Sequence, residues 1–139
     1  MKHPIRCLMT VAMAAAVLFS SCKKEDKDPG ILPAIAFKTA AGYTFRDTTV
    51  TAGTMLLTGI DAHKTESQDV LRVFGISRSY DGGASTTVLT ESLTSAQGDT
   101  YSKDYAISTR STAGTEKYTY TVSNRDGLVN VVSLTVTTQ

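Results

Sequence analysis

The stretch Lys117-Tyr118-Thr119-Tyr120-Thr121-Val122-Ser123, followed by Asn124-Arg125-Asp126-Gly127, decides the fold. Tyr118, Tyr120 and Val122 alternate strictly with polar neighbours. Side chains of an extended strand point to opposite faces with a period of two, so one face is core and the other is solvent. Asn124 to Gly127 supplies the turn, with Gly127 free to take the positive φ of a tight hairpin. The chain then returns through Leu128 to Thr138 with Val132, Leu134 and Val136 in phase.

The same alternation extends backwards from this hairpin. Ala34 to Thr39 puts Ile35 and Phe37 on one face, and Thr48 to Thr51 reads as a short edge segment before the Ala52-Gly53 turn. Met55 to His63 carries Leu56, Ile60 and Ala62 in phase; Val70 to Tyr80 carries Phe74 and Ile76 inward and ends at the turn Asp81-Gly82-Gly83. Thr86 to Leu93 is the return strand, and after a polar loop over Thr94 to Asp99 the segment Tyr101 to Thr109 places Tyr105 and Ile107 in phase. From Ala34 onward there are 21 threonines and no helical apolar stripe. Turn residues recur at roughly 8–12-residue spacing, the pattern of an all-β sandwich.

About seven strands in this order resemble an immunoglobulin-like antiparallel β-sandwich of the bacterial surface type. The resemblance rests on Thr51-Ala52-Gly53, on Gly114-Thr115-Glu116-Lys117-Tyr118-Thr119-Tyr120-Thr121-Val122, and on Asp126-Gly127-Leu128. The last two are similar to the penultimate strand and final turn of PKD-like domains. The likeness implies a tyrosine corner at Tyr118, its ring in the core and its hydroxyl bonded to nearby backbone. The cysteines and core tryptophan of antibody domains are absent from residues 34–139. That excludes the narrow family and leaves the architecture.

Residues 1–21 have the build of an export signal. Lys2 and Arg6 precede an apolar run from Cys7 to Phe19, and small Ser20 and Ser21 precede Cys22. The run is 13 residues long; a transmembrane helix needs about 20. Ser20-Ser21-Cys22 resembles the lipobox of bacterial lipoproteins, with Phe19 departing from the usual leucine beside Leu18. The resemblance implies cleavage before Cys22, a diacylglycerol on its thiol and acylation of the new amine. One myristoyl chain binds a membrane only marginally, at about 0.8 kcal/mol per buried methylene, so two or three longer chains hold effectively permanently. Lys23, Lys24, Glu25 and Asp26 resemble the surface-export signal of Bacteroidota lipoproteins. The expected organisation is a signal peptide over 1–21, a lipidated cysteine and charged tether over 22–33, and one sandwich domain over 34–139. The expected location is the outer membrane, facing the exterior.

Cleavage removes Lys2 and Arg6 and leaves 12 basic against 13 acidic side chains. That balance argues against a nucleic-acid partner, which needs a basic surface. With Cys7 gone and Cys22 occupied by lipid, the domain has no thiol for a disulfide, a nucleophile or a zinc site.

Little else points to chemistry. His63 is the single histidine after the leader, and alone it supports neither a conventional zinc site nor a catalytic triad. Asp61, Glu66 and Asp69 lack the spacing of a calcium loop. Gly82-Gly83 lacks the lysine of a phosphate loop. No cofactor, no metal and no catalytic residue is expected. Tyr118, Tyr120 and Tyr105 fall at core phase, which leaves Tyr43, Tyr80 and Tyr101 free for a ligand; Tyr80 and Tyr101 are the candidate contacts. Asp47-Thr48-Thr49 resembles a Bacteroidota O-glycosylation sequon, making Thr48 a candidate acceptor. The expected function is non-enzymatic: a lipid-anchored surface domain that supports or binds a protein or glycan partner. The alternative is an accessory glycan-binding module of a surface nutrient-uptake system.

Overall fold

The computed structural model describes residues 30–139. Its strands are β1 (Ala34–Phe37), β2 (Thr48–Val50), β3 (Met55–His63), β4 (Leu71–Tyr80), β5 (Thr86–Ser92), β6 (Thr100–Ser108), β7 (Gly114–Asn124) and β8 (Val129–Thr138). A single 3-10 turn, Ser95–Gln97, lies between β5 and β6. Two sheets form, one in the order β1-β3-β6 and one in the order β2-β8-β7-β4-β5. The fold is the all-β sandwich expected from the alternation, with eight strands where about seven were anticipated.

One pairing departs from antiparallel order. β2 lies parallel to β8, with Thr48 opposite Val136 and Val50 opposite Thr138. The cause is the path of the chain. β1 begins opposite the end of β3, at His63, and runs toward Ile60. The chain then changes sheets without reversing, so β2 keeps the direction of β1, which is also that of β8.

Register shows where alternation succeeded. Tyr118, Tyr120 and Val122 on β7 face inward with Phe74 and Ile76 of β4 and Leu134 and Val136 of β8, all fully buried. The opposing sheet contributes Ile60, Ala62, Tyr101 and Ile107. The Tyr120 ring meets Phe37 edge-on at 5.3 Å between centroids, and Phe74 meets Tyr101 at 5.2 Å. Both spacings lie in the favourable range for aromatic pairs. Tyr120 carries a hydroxyl into this core and must satisfy it. It shares a 2.5 Å bond with the Thr58 hydroxyl. Thr58 in turn donates to the Tyr105 carbonyl at 2.9 Å, so Tyr120 is the donor in the first bond. Burial pushes the Tyr120 phenol up to about 12.

The strands run between two poles. The near pole gathers residues 30–33, the β3–β4 loop, the 3-10 turn and the β7–β8 turn. The far pole gathers the turn at Gly53, the β4–β5 turn at Asp81 and the β6–β7 loop at Arg110 to Gly114.

Candidate functional site

At the near pole the chain enters the domain along a fixed path. The Ile31 amide donates to Glu66 Oε2 at 2.9 Å, and the Thr65 hydroxyl donates to the Leu32 carbonyl at 2.9 Å. Asn130 Nδ2 donates to the Pro33 carbonyl at 2.9 Å, and Pro33 itself is buried. Residues 30–33, expected to belong to a flexible tether, are therefore fastened to the β3–β4 loop and to the start of β8. The physical reason is that their carbonyl and amide groups meet Glu66, Thr65 and Asn130, partners that lie 33 to 97 residues away in sequence. A second network closes the pole: Asp69 Oδ1 accepts the Val70 amide at 2.7 Å, its other oxygen accepts Asn124 Nδ2, and Asn124 Oδ1 accepts the Leu128 amide at 2.8 Å. Both Asp69 and Asn124 are buried; Asp69 links the start of β4 to Asn124, which holds the β7–β8 turn.

An open groove of about 860 Å³ lies beside this pole, lined by Asp61, His63, Lys64, Asp99, Thr100 and Ser102 with Ala62 and Tyr101 at its base. Lys64 and Asp99 pair across it at 2.6 Å. A second depression of about 550 Å³ shares Tyr101 and Ser102 and reaches Glu91, Gln97 and Lys103. It marks the gap where the edge strand β5 of one sheet faces the edge strand β6 of the other. Glu91 bridges that gap, accepting the Tyr101 hydroxyl and the Lys103 ammonium. Lys103 holds the Glu91 carboxyl below its usual range, and the Tyr101 bond adds to the effect. Burial, with Glu91 second, pushes the Tyr101 phenol well up. Lys103 and Glu91 both sit at inward-facing positions of edge strands, a device that discourages edge-to-edge pairing.

The far pole is organised by charge. Arg110 forks onto Asp81, with both nitrogen–oxygen distances 2.6 Å, and the Thr115 amide donates to Asp81 Oδ1 at 2.8 Å. Arg110 and then Thr115 hold the Asp81 carboxyl down at about 2. Glu116 is fully buried, and its carboxylate accepts the Arg110 amide at 2.7 Å and the Tyr118 hydroxyl at 2.7 Å. The half-buried Tyr80 ring lies 5.0 Å from the Arg110 guanidinium carbon and 4.6 Å from that of Arg78. Gly114 makes this possible. Its φ is +146°, and a Cβ there would come within 1.6 Å of Arg110 Nη2.

The outer face of the three-stranded sheet has its own cluster. Lys38 pairs with Asp104 at 2.6 Å and the Tyr43 hydroxyl donates to the same carboxylate at 3.0 Å. They lie over Gly59, where a Cβ would meet all three side chains at 2.7 Å. Tyr43 is thereby spoken for.

Of the sequence-predicted residues, Cys22, Lys23, Lys24, Glu25 and Asp26 lie outside the described residues, as do the expected signal peptide and most of the expected tether. Tyr80 and Tyr101 are not brought together. Phe74, which packs on Tyr101, is six residues from Tyr80 along β4, about 20 Å at strand rise. Tyr101 is moreover a core residue and not a free contact. It occupies the inward phase of Tyr105 and Ile107, and Glu91 takes its hydroxyl. The Tyr118 ring is in the core as a tyrosine corner requires, but its hydroxyl goes to the Glu116 carboxylate instead of backbone, because that carboxylate is buried two residues away. Thr48 opens β2 half-buried, and the preceding Asp47 accepts the Thr135 amide at 2.7 Å. Asp61, Glu66 and Asp69 do not converge: Asp61 faces the groove, Glu66 serves Ile31 and Asp69 serves Asn124. Among the described residues no three His, Cys, Asp or Glu side chains form a metal-holding group.

No protein-family model matches the sequence, and no curated protein aligns with it significantly. Solved structures share its shape. A superoxide reductase (neelaredoxin) from Ignicoccus hospitalis superposes with a TM-score of 0.54 at 7% identity, over 78% of this chain and 81% of that one. Its T24K variant gives 0.51 at 9%, over 78% and 80%. A β-glucosidase from Listeria innocua gives 0.46 at 11%, over 75% of this chain and 16% of that one. At these identities the likeness to the superoxide reductase is one of fold alone.

Glu116 and Lys103 are among the structural residues missed in the sequence. Glu116 stands at the inward phase of Tyr118 and Tyr120, and a carboxylate at that phase signals a buried acceptor. Lys103 stands at the inward phase of β6, and by interrupting the apolar pattern it hid Tyr101 from the core.

Proposed function

We propose that this chain is a lipid-anchored outer-membrane lipoprotein, displayed on the cell exterior, whose β-sandwich is a non-enzymatic structural or binding domain. The sequence from Leu18 to Asp26 carries the reading, and the fastening of residues 30–33 at one pole supports it. A chain tied to lipid at Cys22 would lead directly into that pole and hold the domain on a short leash. Several ionised groups among the described residues are spent on one another: Lys38 with Asp104, Lys64 with Asp99, Lys103 with Glu91 and Arg110 with Asp81. That arrangement favours a scaffold over a reacting centre. Protease treatment of intact cells tests the display. The domain should be cleaved from intact cells at the rate seen in lysed ones; protection until lysis would place it on the periplasmic face.

A second reading, an accessory glycan-binding module of a nutrient-uptake system, draws on the near-pole groove. Asp61, Asp99, Thr100 and Ser102 offer carboxylates and hydroxyls suited to a polyhydroxylated ligand. A glycan array on the mature protein decides it. Binding lost in Asp61→Ala and Asp99→Ala would support the module, whereas an array with no specific signal would remove it.

A further inference from the structure

We propose that the β8 flank of the near pole rests against the lipid surface to which Cys22 is anchored; the inference depends on the lipoprotein reading. It starts from where the exposed aliphatic residues are. Ile31 is 57% exposed, Leu32 49%, Val129 51% and Val131 51%. Whereas Met55, 70% exposed, and Leu57, 40% exposed, stand apart on the three-stranded sheet toward the far pole, all four belong to the near pole or the strand leaving it. Val73 joins them, since it pairs with Ser123 on β7, and Ser123 pairs with Val129 on β8. Thus Val73, Val129 and Val131 share the outer face of the five-stranded sheet at the end where the chain enters. Ile31 and Leu32 stand at its border, because Gly30 abuts Leu128 and Pro33 is bonded to Asn130.

These aliphatics are held outward by the backbone. The Ile31 amide is fixed by Glu66 and the Leu32 carbonyl by Thr65, so neither residue needs to fold inward to satisfy its polar groups. Around them Lys64 pairs with Asp99 at 2.6 Å and Arg125 lies 3.7 Å from Asp126, while the Glu66 carboxylate accepts the Ile31 amide and Arg72, beside Val73, forms no ion pair among the described residues. Paired charges lose less than lone ones on approaching a medium of low polarity, and exposed aliphatics gain. No basic cluster surrounds the patch among the described residues, so its contact with lipid is apolar and not electrostatic.

The length of the tether names the occupant. Eight peptide units separate Cys22 from Gly30, and even fully extended they span about 28 Å. β7, with 11 residues, is about 35 Å long at strand rise. The acyl chains therefore stay within one domain length of the patch, whereas a soluble partner has no such constraint. Aliphatic side chains on a rigid strand beside an acyl anchor suit the boundary between headgroups and acyl chains. The far pole, with Tyr80, Arg110 and the Gly82-Gly83 turn, then points away from the membrane.

The lipidated full-length protein, reconstituted in phosphatidylethanolamine–phosphatidylglycerol vesicles, tests this directly. Cys22 is blocked by lipid and Cys7 leaves with the leader, so an introduced cysteine is the only free thiol. Val131→Cys and, at the far pole, Ser111→Cys would each carry a fluorophore, with a bromine-labelled lipid as quencher. The label at 131 should be quenched several-fold more than the label at 111, and high salt should not change the ratio. Equal quenching at both sites overturns the proposal. So does burial of the 131 label that rises with protein concentration and ignores the quencher, which assigns the flank to a second copy. In either case a protein that still sediments with vesicles retains its anchor. A protein that washes off and carries no lipid refutes the lipoprotein reading itself.

Discussion

The two poles of the sandwich are closed by different chemistry. At the far pole Arg110, Asp81, Glu116 and Tyr118 form a charged network that reaches into the core and depends on Gly114. At the near pole the incoming chain is held by single bonds, an amide to Glu66, a hydroxyl to Leu32 and a side-chain amide to Pro33, beside the buried Asp69–Asn124 pair. Aliphatic side chains are left outside. The contrast is between an arginine–carboxylate network at the far pole and single bonds to the incoming chain at the near pole; exposed aliphatics gather at the latter, while Met55 stands exposed toward the former.

Among the polar ties, breaking those of the far pole should have the larger effect. Glu116→Ala leaves the Tyr118 hydroxyl and the Arg110 amide without their acceptor. An unsatisfied buried donor costs about 1–3 kcal/mol, so the variant should lose roughly 2–5 kcal/mol in urea unfolding. The near-pole counterpart, Glu66→Ala, removes one exposed bond and should cost about 0.5–1 kcal/mol in the same measurement. Equal losses would erase the contrast. Tyr101→Ala, at the near pole but in the core, should cost about 3–5 kcal/mol. Tyr80→Ala, which vacates a half-buried ring between two guanidiniums, should cost less.

Acid sharpens the comparison next. Asp81 is held at about 2, below the ordinary 3.8, chiefly by Arg110. A carboxyl depressed in the folded state contributes stability above its unfolded value, and that contribution disappears as pH falls from about 4 toward 2. Asp81→Asn should flatten this part of the stability curve, measured by thermal unfolding across that range. A curve as steep as the parent's would assign the acid sensitivity to Glu91 and Asp104, whose carboxyls are also depressed. The smallest effect is expected on the β8 flank. Val129→Thr and Val131→Thr replace exposed side chains and should change stability in solution by within about 0.5 kcal/mol.

How far the sequence exposes these features follows from their range. Strict alternation in β7 and β8 located Tyr118, Tyr120, Val122, Leu134 and Val136 correctly, because period-2 burial is a local property. β3 was delimited at Met55 and His63, as in the structure. Long-range satisfaction was not legible. Nothing near Lys103 announces Glu91, 12 residues back on another sheet, and nothing near Arg110 announces Asp81, 29 residues away. Tyr101 was misplaced for that reason: its phase was right for the core, but Lys103 broke the apolar series beside it. The parallel β2–β8 pair was equally hidden, since it depends on the path of the chain between sheets.

The anchor remains the central claim, and membrane fractionation of cells producing the parent chain and Cys22→Ala tests it most directly, with metabolic labelling by a fatty acid. The parent should carry label and stay with the outer membrane after a high-salt wash; the variant should carry none and appear in the soluble fraction. A Cys22→Ala protein that remains membrane-bound after that wash would contradict the account.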